Sequence, residues 1–134
     1  MFNTMTHNNI WVTDQDEALD FYVEKLGLEI CSDQDLGFMR WLTVNVPGQS
    51  DRQIILSTLE PPSVNPELVE PARRMLSEGL MGMVFLTTPD CRATHETLSG
   101  KGVEFSREPT EQSYGIDCEA LDPFGNRIRI AQTS

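Results

Sequence analysis

Residues 14–30, DQDEALDFYVEKLGLEI, and residues 90–105, DCRATHETLSGKGVEF, carry one plan written twice. In each, an acidic residue opens a helical pattern, a glycine closes it and a short apolar strand follows. Asp14, with Glu17 three residues on, has the form of a capping box. Ala18, Tyr22 and Leu26 recur at helical spacing, as do Leu19 and Val23. Gly27 can supply the left-handed cap at the C-terminus. In the second copy Asp90 starts the helix, Ala93, Thr94 and Leu98 carry its inner stripe, and Gly100 or Gly102 ends it.

Working outward, strand patterns surround both helices. Residues 7–12 precede the first, and 28–32, 40–46 and 53–58 follow it. Residues 82–87 precede the second, and 103–107, 115–121 and 127–131 follow it. The order is β-α-β-β-β twice, an α+β chain of two βαβββ modules. Module 1 runs over about 5–59 and module 2 over about 80–132. The linker between them, 60–79, opens on Pro61 and Pro62 and offers a helix at 66–77, a candidate lid. At 134 residues the modules are expected to form a single domain.

Composition narrows the function classes. Hydrophobic residues make up 39% and charged residues 23%, ordinary usage for a globular chain. No apolar run approaches the roughly 18 residues of a membrane span. Residues 1–9 have neither the basic nor the apolar segment of a signal peptide. Cys31, Cys91 and Cys118 are odd in number and in no metal-like spacing, as expected of reduced thiols in the cytoplasm. The net charge of −11 repels phosphate backbones and argues against a nucleic-acid partner. No nucleophile elbow, phosphate loop or dinucleotide fingerprint is present.

The stretch HNNIWVTDQDEALDFYVEKLGLEI at 7–30 and the later YGIDCEALDPFGNRIRI at 114–130 resemble the two hallmark segments of the vicinal-oxygen-chelate superfamily. This is the family of glyoxalases, bleomycin-resistance proteins and ring-cleaving dioxygenases. The resemblance covers nearly the whole chain and rests on order and spacing. The turn Asp122-Pro123-Phe124-Gly125-Asn126 has a physical sense of its own: proline presets a turn and glycine permits positive φ, so the last two strands can form a hairpin. The resemblance implies a curved mixed sheet, cup-shaped and completed in a dimer, with the ligand on its concave face.

Strand alternation then assigns faces. Ile10, Val12, Leu42, Val44, Val46, Ile54, Leu56, Val84, Leu86, Ile116, Cys118, Ala120, Ile128 and Ile130 are expected in the core. That leaves His7, Asn9, Trp11, Trp41, Thr43, Ile55, Met83, Phe85, Glu119 and Arg129 as the ligand-facing set. Asn45, Gln53, Ser57, Thr87, Asp117, Leu121, Arg127 and Ala131 share that side. A mostly apolar cleft with few polar groups suits a small molecule, and aromatic planes suit a flat or bulky apolar one. A core or dimer interface uses tryptophans equally well, and Asp117 with Glu119 equally makes a solvated strand face.

Enzymes of the resembling family hold a divalent metal with one residue, commonly His or Glu, from each of four strands. Those positions fall here on His7, near Ile55, on Met83 and on Arg129. Isoleucine has no lone pair, a thioether is a poor ligand for hard or borderline ions, and arginine adds positive charge. No divalent metal or other cofactor is therefore expected. The resemblance then implies a homodimer that sequesters a bulky aromatic or amphipathic molecule, as in resistance or self-resistance to an antibiotic, without chemistry. The alternative is a glyoxalase-like lyase or isomerase with Glu119 or Asp117 as general base, which needs a pKa raised towards neutrality. No catalytic residue is assigned on the first reading.

Overall fold

A computed structural model describes residues 1–133. The chain divides between Met75 and Leu76 into two compact units. In the first, β1 (His7–Val12) leads into α1 (Gln15–Leu19), which continues as a π-helical turn, Asp20–Lys25. Three strands follow: β2 (Glu29–Asp35), β3 (Arg40–Asn45) and β4 (Gln53–Thr58). They form one sheet in the order β1-β4-β3-β2, parallel only between β1 and β4. After a 3-10 turn at Pro66–Leu68 comes α2 (Val69–Ser77).

The second unit repeats the plan. It holds β5 (Met83–Thr87), α3 (Cys91–Gly100), β6 (Glu104–Gln112), β7 (Gly115–Leu121) and β8 (Arg127–Thr133). Its sheet order, β5-β8-β7-β6, is that of the first with only β5 and β8 parallel.

Local chemistry explains both helix starts. The Asp14 carboxylate accepts the Glu17 backbone N–H at 2.9 Å and that of Asp90 accepts the Ala93 N–H at 3.0 Å, each satisfying a donor that the first turn leaves over. Gly27, at φ +78°, provides the left-handed stop after the first helix. The Gln15 side-chain amide donates to the Leu56 carbonyl at 2.8 Å, tying α1 to β4. Arg40 grips both oxygens of Asp33, at 2.8 and 2.9 Å, and reaches Asp16 at 2.9 Å, joining β3 to β2 and α1.

The core faces follow the expected alternation, with Ile10, Val12, Leu42, Val44, Leu56, Val84, Cys118, Ala120, Ile128 and Ile130 buried. Ile54, Leu86 and Ile116 are only half-buried. Val46 is a correction: it lies one residue beyond β3 and is 37% exposed. Ala93 is exposed too, and the inner side of α3 is carried by Cys91 and Leu98. Cys118 is buried with its sulfur 3.5 Å from that of Cys91. Burial pushes its thiol up to about 12, so it is no nucleophile at neutral pH.

Two strands outrun their apolar patterns. β2 extends to Asp35 and β6 to Gln112. Both are edge strands, held by backbone pairing on one side, so polar residues are tolerated there. Each carries a bulge, between Ile30 and Ser32 in β2 and on either side of Arg107 in β6.

Candidate functional site

In the first unit, register aligns Asn9 with Ile55 and Ile55 with Thr43 across three strands. Trp11 lies opposite Ser57 in the same β1–β4 ladder. Alternation therefore sets His7, Asn9, Trp11, Trp41, Thr43 and Ile55 on the sheet face opposite Ile10, Val12, Leu42 and Val44. The His7 and Trp41 rings lie 5.9 Å apart in a tilted pair. The Ser57 hydroxyl donates to the Asn9 side-chain carbonyl. Thr43 is fully buried, and its hydroxyl has no hydrogen-bond partner among the described residues.

In the second unit the corresponding face is charged at its centre and apolar at one edge. Phe85 stands opposite Arg129, Arg129 opposite Glu119 and Glu119 opposite Arg107. Phe85 is 70% exposed and Met83 38%. The Arg129 guanidinium carbon sits 5.9 Å from the centre of the Phe85 ring, within cation–π range.

The two acids of this face are fully occupied. Asp117 pairs with Arg107 at 2.6 Å and Arg129 at 3.2 Å. It also accepts from Tyr114 at 2.6 Å and from Gln112 at 3.3 Å. Glu119 pairs with Arg129 at 3.3 Å, lies 4.0 Å from Arg127 and accepts from Ser106 at 2.9 Å. Burial by itself raises the Asp117 pKa. Hydrogen bonds from Tyr114 and Gln112 and the charges of Arg107 and Arg129 outweigh it and hold the carboxyl below its ordinary range. A general base poised near neutrality needs the opposite shift. Asp117 is built as a structural anion.

That geometry fixes a sign. A carboxyl lowered in the folded state stabilises the protein above its unfolded value, ordinarily 3.8, and the stabilisation fades as pH falls through the folded value. Asp117→Asn is expected to cost about 2 kcal/mol at pH 7, less than the roughly 3–5 kcal/mol of breaking a fully buried pair. The discount reflects partners that stay wet, with the side chains of Arg107 and Arg129 38% and 26% exposed. Urea unfolding at pH 7 and pH 3 checks this: the gap between wild type and variant should narrow at pH 3. Equal midpoints at pH 7 contradict it.

The four positions at which the fold implies a metal do not fit one. His7 shares its Nδ1 with the Thr6 hydroxyl at 2.8 Å, Arg129 is engaged with two carboxylates, and Ile55 and Met83 offer no hard donor. Among the described residues, no group of three or more His, Cys, Asp or Glu side chains is arranged to hold an ion.

Arg107 and Tyr114 escaped the strand-phase reading. By parity Arg107 belongs with Phe105, which packs against His95 of α3 at 4.4 Å. The bulge sets Phe105 opposite Ala120 but Arg107 opposite Glu119, so two residues of β6 answer one of β7. That irregularity turns Arg107 to the other face. Pro109, two residues beyond, was the one signal in the sequence that β6 is an irregular edge.

Three surface clefts of about 410, 420 and 470 Å³ lie at Thr4, Asn8 and Arg52, at Asp33, Phe38 and Arg40, and at Arg92, His95 and Pro109. None is lined by Trp11, Trp41 or Phe85.

Two βαβββ units, one with an aromatic-lined sheet face and the other with an acid pair tied to arginines, define a fold of the vicinal-oxygen-chelate type. Residues 4–130 match the Glyoxalase/Bleomycin resistance protein/Dioxygenase superfamily, and the chain belongs to it. It is 37% identical over 124 residues to the uncharacterized protein YurT of Bacillus subtilis (strain 168), covering 92% of this chain and 94% of that one. Among solved structures it is similar to UcmS2, with a TM-score of 0.95 and 33% identity over 99% of this chain and 100% of that one. It is also similar to TnmS3, described as an antibiotic binding protein from Streptomyces sp. CB03234. There the TM-score is 0.77, with 28% identity over 99% of this chain and 98% of that one. No helix among the described residues is long and apolar enough to cross a membrane.

Proposed function

We propose that this chain binds and sequesters a bulky aromatic or amphipathic small molecule of the antibiotic or natural-product kind, without a metal and without chemistry. The observation that carries the reading is the set of aromatic rings on the faces turned away from the buried cores: Trp11 and Trp41 in one unit and the exposed Phe85 in the other. The Phe85 ring is 70% exposed beside Arg129, which leaves its plane open to a flat apolar partner. The likeness to an antibiotic binding protein supports the same reading. The reading includes a homodimer in the cytoplasm. Nothing favours the lyase alternative, because Asp117 is held ionised by its partners and Glu119 is tied to arginine and serine.

A neutral conjugated probe, 1-pyrenebutanol, tests this. It should quench tryptophan fluorescence saturably and raise the melting temperature, as any native-state ligand must. Trp41→Ala should weaken that binding by roughly 1–3 kcal/mol, the range for truncating an aromatic anchor. The fold should survive, because the neighbouring core residues Leu42 and Val44 are untouched. Loss of the folded state, or unchanged affinity, shows the ring to be structural. A thermal-shift screen of aromatic antibiotics then identifies the natural ligand class.

A further inference from the structure

The first unit's open face is neutral where the second's is charged. One row crosses all four strands through Asn9, Ile55, Thr43 and Ser32, and none of the four ionises. Two residues further along lie Trp11 opposite Ser57 and Trp41 opposite Gln34, neutral as well. The strand residues of this face that do ionise are His7 and Glu29, both on the other side of the row. His7 shares Nδ1 with the Thr6 hydroxyl, and Glu29 Oε1 accepts from the Asn45 amide at 2.9 Å and the Gly48 backbone N–H at 3.2 Å. Asp33 lies opposite Leu42, on the core side, and takes Arg40 with it. In a chain of net charge −11, this face has to select by hydrogen bonding and shape.

One polar group on it is both reachable and fixed. Asn9 is exposed, yet the buried Ser57 hydroxyl donates to its Oδ1. That contact sets the orientation of the amide and turns Nδ2 away from Ser57, its two N–H groups without an acceptor among the described residues. The alternatives are weaker. The Thr43 hydroxyl is fully buried, out of a ligand's reach. The Gln53 amide is spent on the Ser50 carbonyl at 3.0 Å. Ser32 and Gln34 stand on the outer strand β2, at the opposite edge from Asn9. Trp11, half-buried, follows Asn9 by two residues on the same strand face, about 7 Å along. A donor already held beside an aromatic plane gives up little further freedom when a ligand arrives.

We infer that Asn9 is the specificity-determining contact of this face, selecting a neutral aromatic molecule that carries a hydrogen-bond acceptor, a ring-conjugated carbonyl, over one that lacks it. The ring lies along Trp11 and the carbonyl oxygen accepts from Asn9 Nδ2, while Ser57 acts as the positioning residue. A ligand without the acceptor strips water from the amide and returns nothing. This rests on the sequestration reading above and adds the ligand's acceptor to it.

The test compares 2-acetylnaphthalene with 2-ethylnaphthalene, alike in ring and side-arm size and different in the carbonyl, by quenching of tryptophan emission. The two differ in their own solubility in water, so the readout is how each affinity responds to substitution. Asn9→Ala should weaken ketone binding about five-fold, the effect of one net hydrogen bond. Asn9→Asp keeps the acceptor for Ser57 and removes the donor, and should weaken it about ten-fold. Ser57→Ala frees the amide to turn and should cost the ketone about three-fold. The hydrocarbon should stay within about two-fold throughout. Ketone affinity unchanged in both Asn9 variants, or equal losses for the two probes, overturns the inference while leaving sequestration standing. Failure of both naphthalenes to bind the wild type also overturns it, and sequestration falls with it only if 1-pyrenebutanol fails too. If neither Asn9 variant melts cooperatively, Ser57→Ala decides: a loss confined to the ketone supports the inference, and an equal loss or none overturns it.

Discussion

Gly125→Ala is expected to lower the unfolding free energy by about 4 kcal/mol. Gly125 has φ +119°, and a Cβ built on it meets the Leu76 carbonyl oxygen at 1.9 Å. Two costs therefore coincide. A non-glycine residue held in that backbone region costs about 1–3 kcal/mol, and forcing an atom into a packed site costs a similar amount. The obstacle is backbone, which cannot rotate aside. Gly27→Ala is the control, since its φ of +78° is also left-handed but nothing lies within 4 Å of its Cβ position. It should cost only about 1 kcal/mol. Chemical unfolding of the two variants measures the difference, and equal losses would show that the close approach to Leu76 does not matter.

Asp122→Ala should cost about 3 kcal/mol. The buried Asp122 carboxylate accepts the backbone N–H groups of Phe124, Gly125 and Asn126 at 3.0, 2.9 and 2.8 Å, and the Asn126 side-chain amide at 2.7 Å. Bonds to an ionised acceptor are worth about 1.5–3 kcal/mol each when removed singly, but those converging on one carboxylate do not add. Truncation leaves several donors buried in a turn that must still close the β7–β8 hairpin. Asp122→Asn should recover part of the loss, since it keeps an acceptor without the charge. A full recovery would mean that shape and not charge organises the turn.

This turn is where the sequence was most informative. Proline fixes φ, glycine tolerates the positive φ a tight turn needs and an aspartate can accept from the backbone just after it, so the DPFGN run marks a turn in the sequence itself. The same holds for Asp14 and Asp90, whose capping role follows from side-chain length and position. Three strands, β1, β4 and β7, run over the residues that alternation assigned to them. The linker helix likewise covers 66–77, its first turn 3-10. Elsewhere the pattern ran out for physical reasons. Edge strands need no apolar alternation, so the outer ends of β2 and β6 were silent. The π-helical turn at Asp20–Lys25 buries Phe21 next to Tyr22, a pairing that a 3.6-residue period does not foresee.

The candidate site was legible in its faces and illegible in its partners. Alternation sets Phe85, Glu119 and Arg129 on one side of their sheet, and the observed register agrees. It says nothing of which charges meet, because that depends on inter-strand register. The bulge between Phe105 and Arg107 turns Arg107 towards Asp117 and makes a pair of candidate bases the acceptors of an arginine network. The expectation of no metal rests on residue chemistry alone, since His7 is the one donor among the four positions and no arrangement of isoleucine, methionine and arginine completes a hard-ion site around it.

That last point can be put to the protein directly, by titrating 1-pyrenebutanol into one preparation before and after exhaustive chelation while tryptophan emission is followed. Metal-independent sequestration predicts the same saturable quenching and the same Kd in both, with far less than one zinc, nickel, iron or manganese per chain beforehand. Binding that disappears on chelation and returns with about one equivalent of a divalent metal would contradict it.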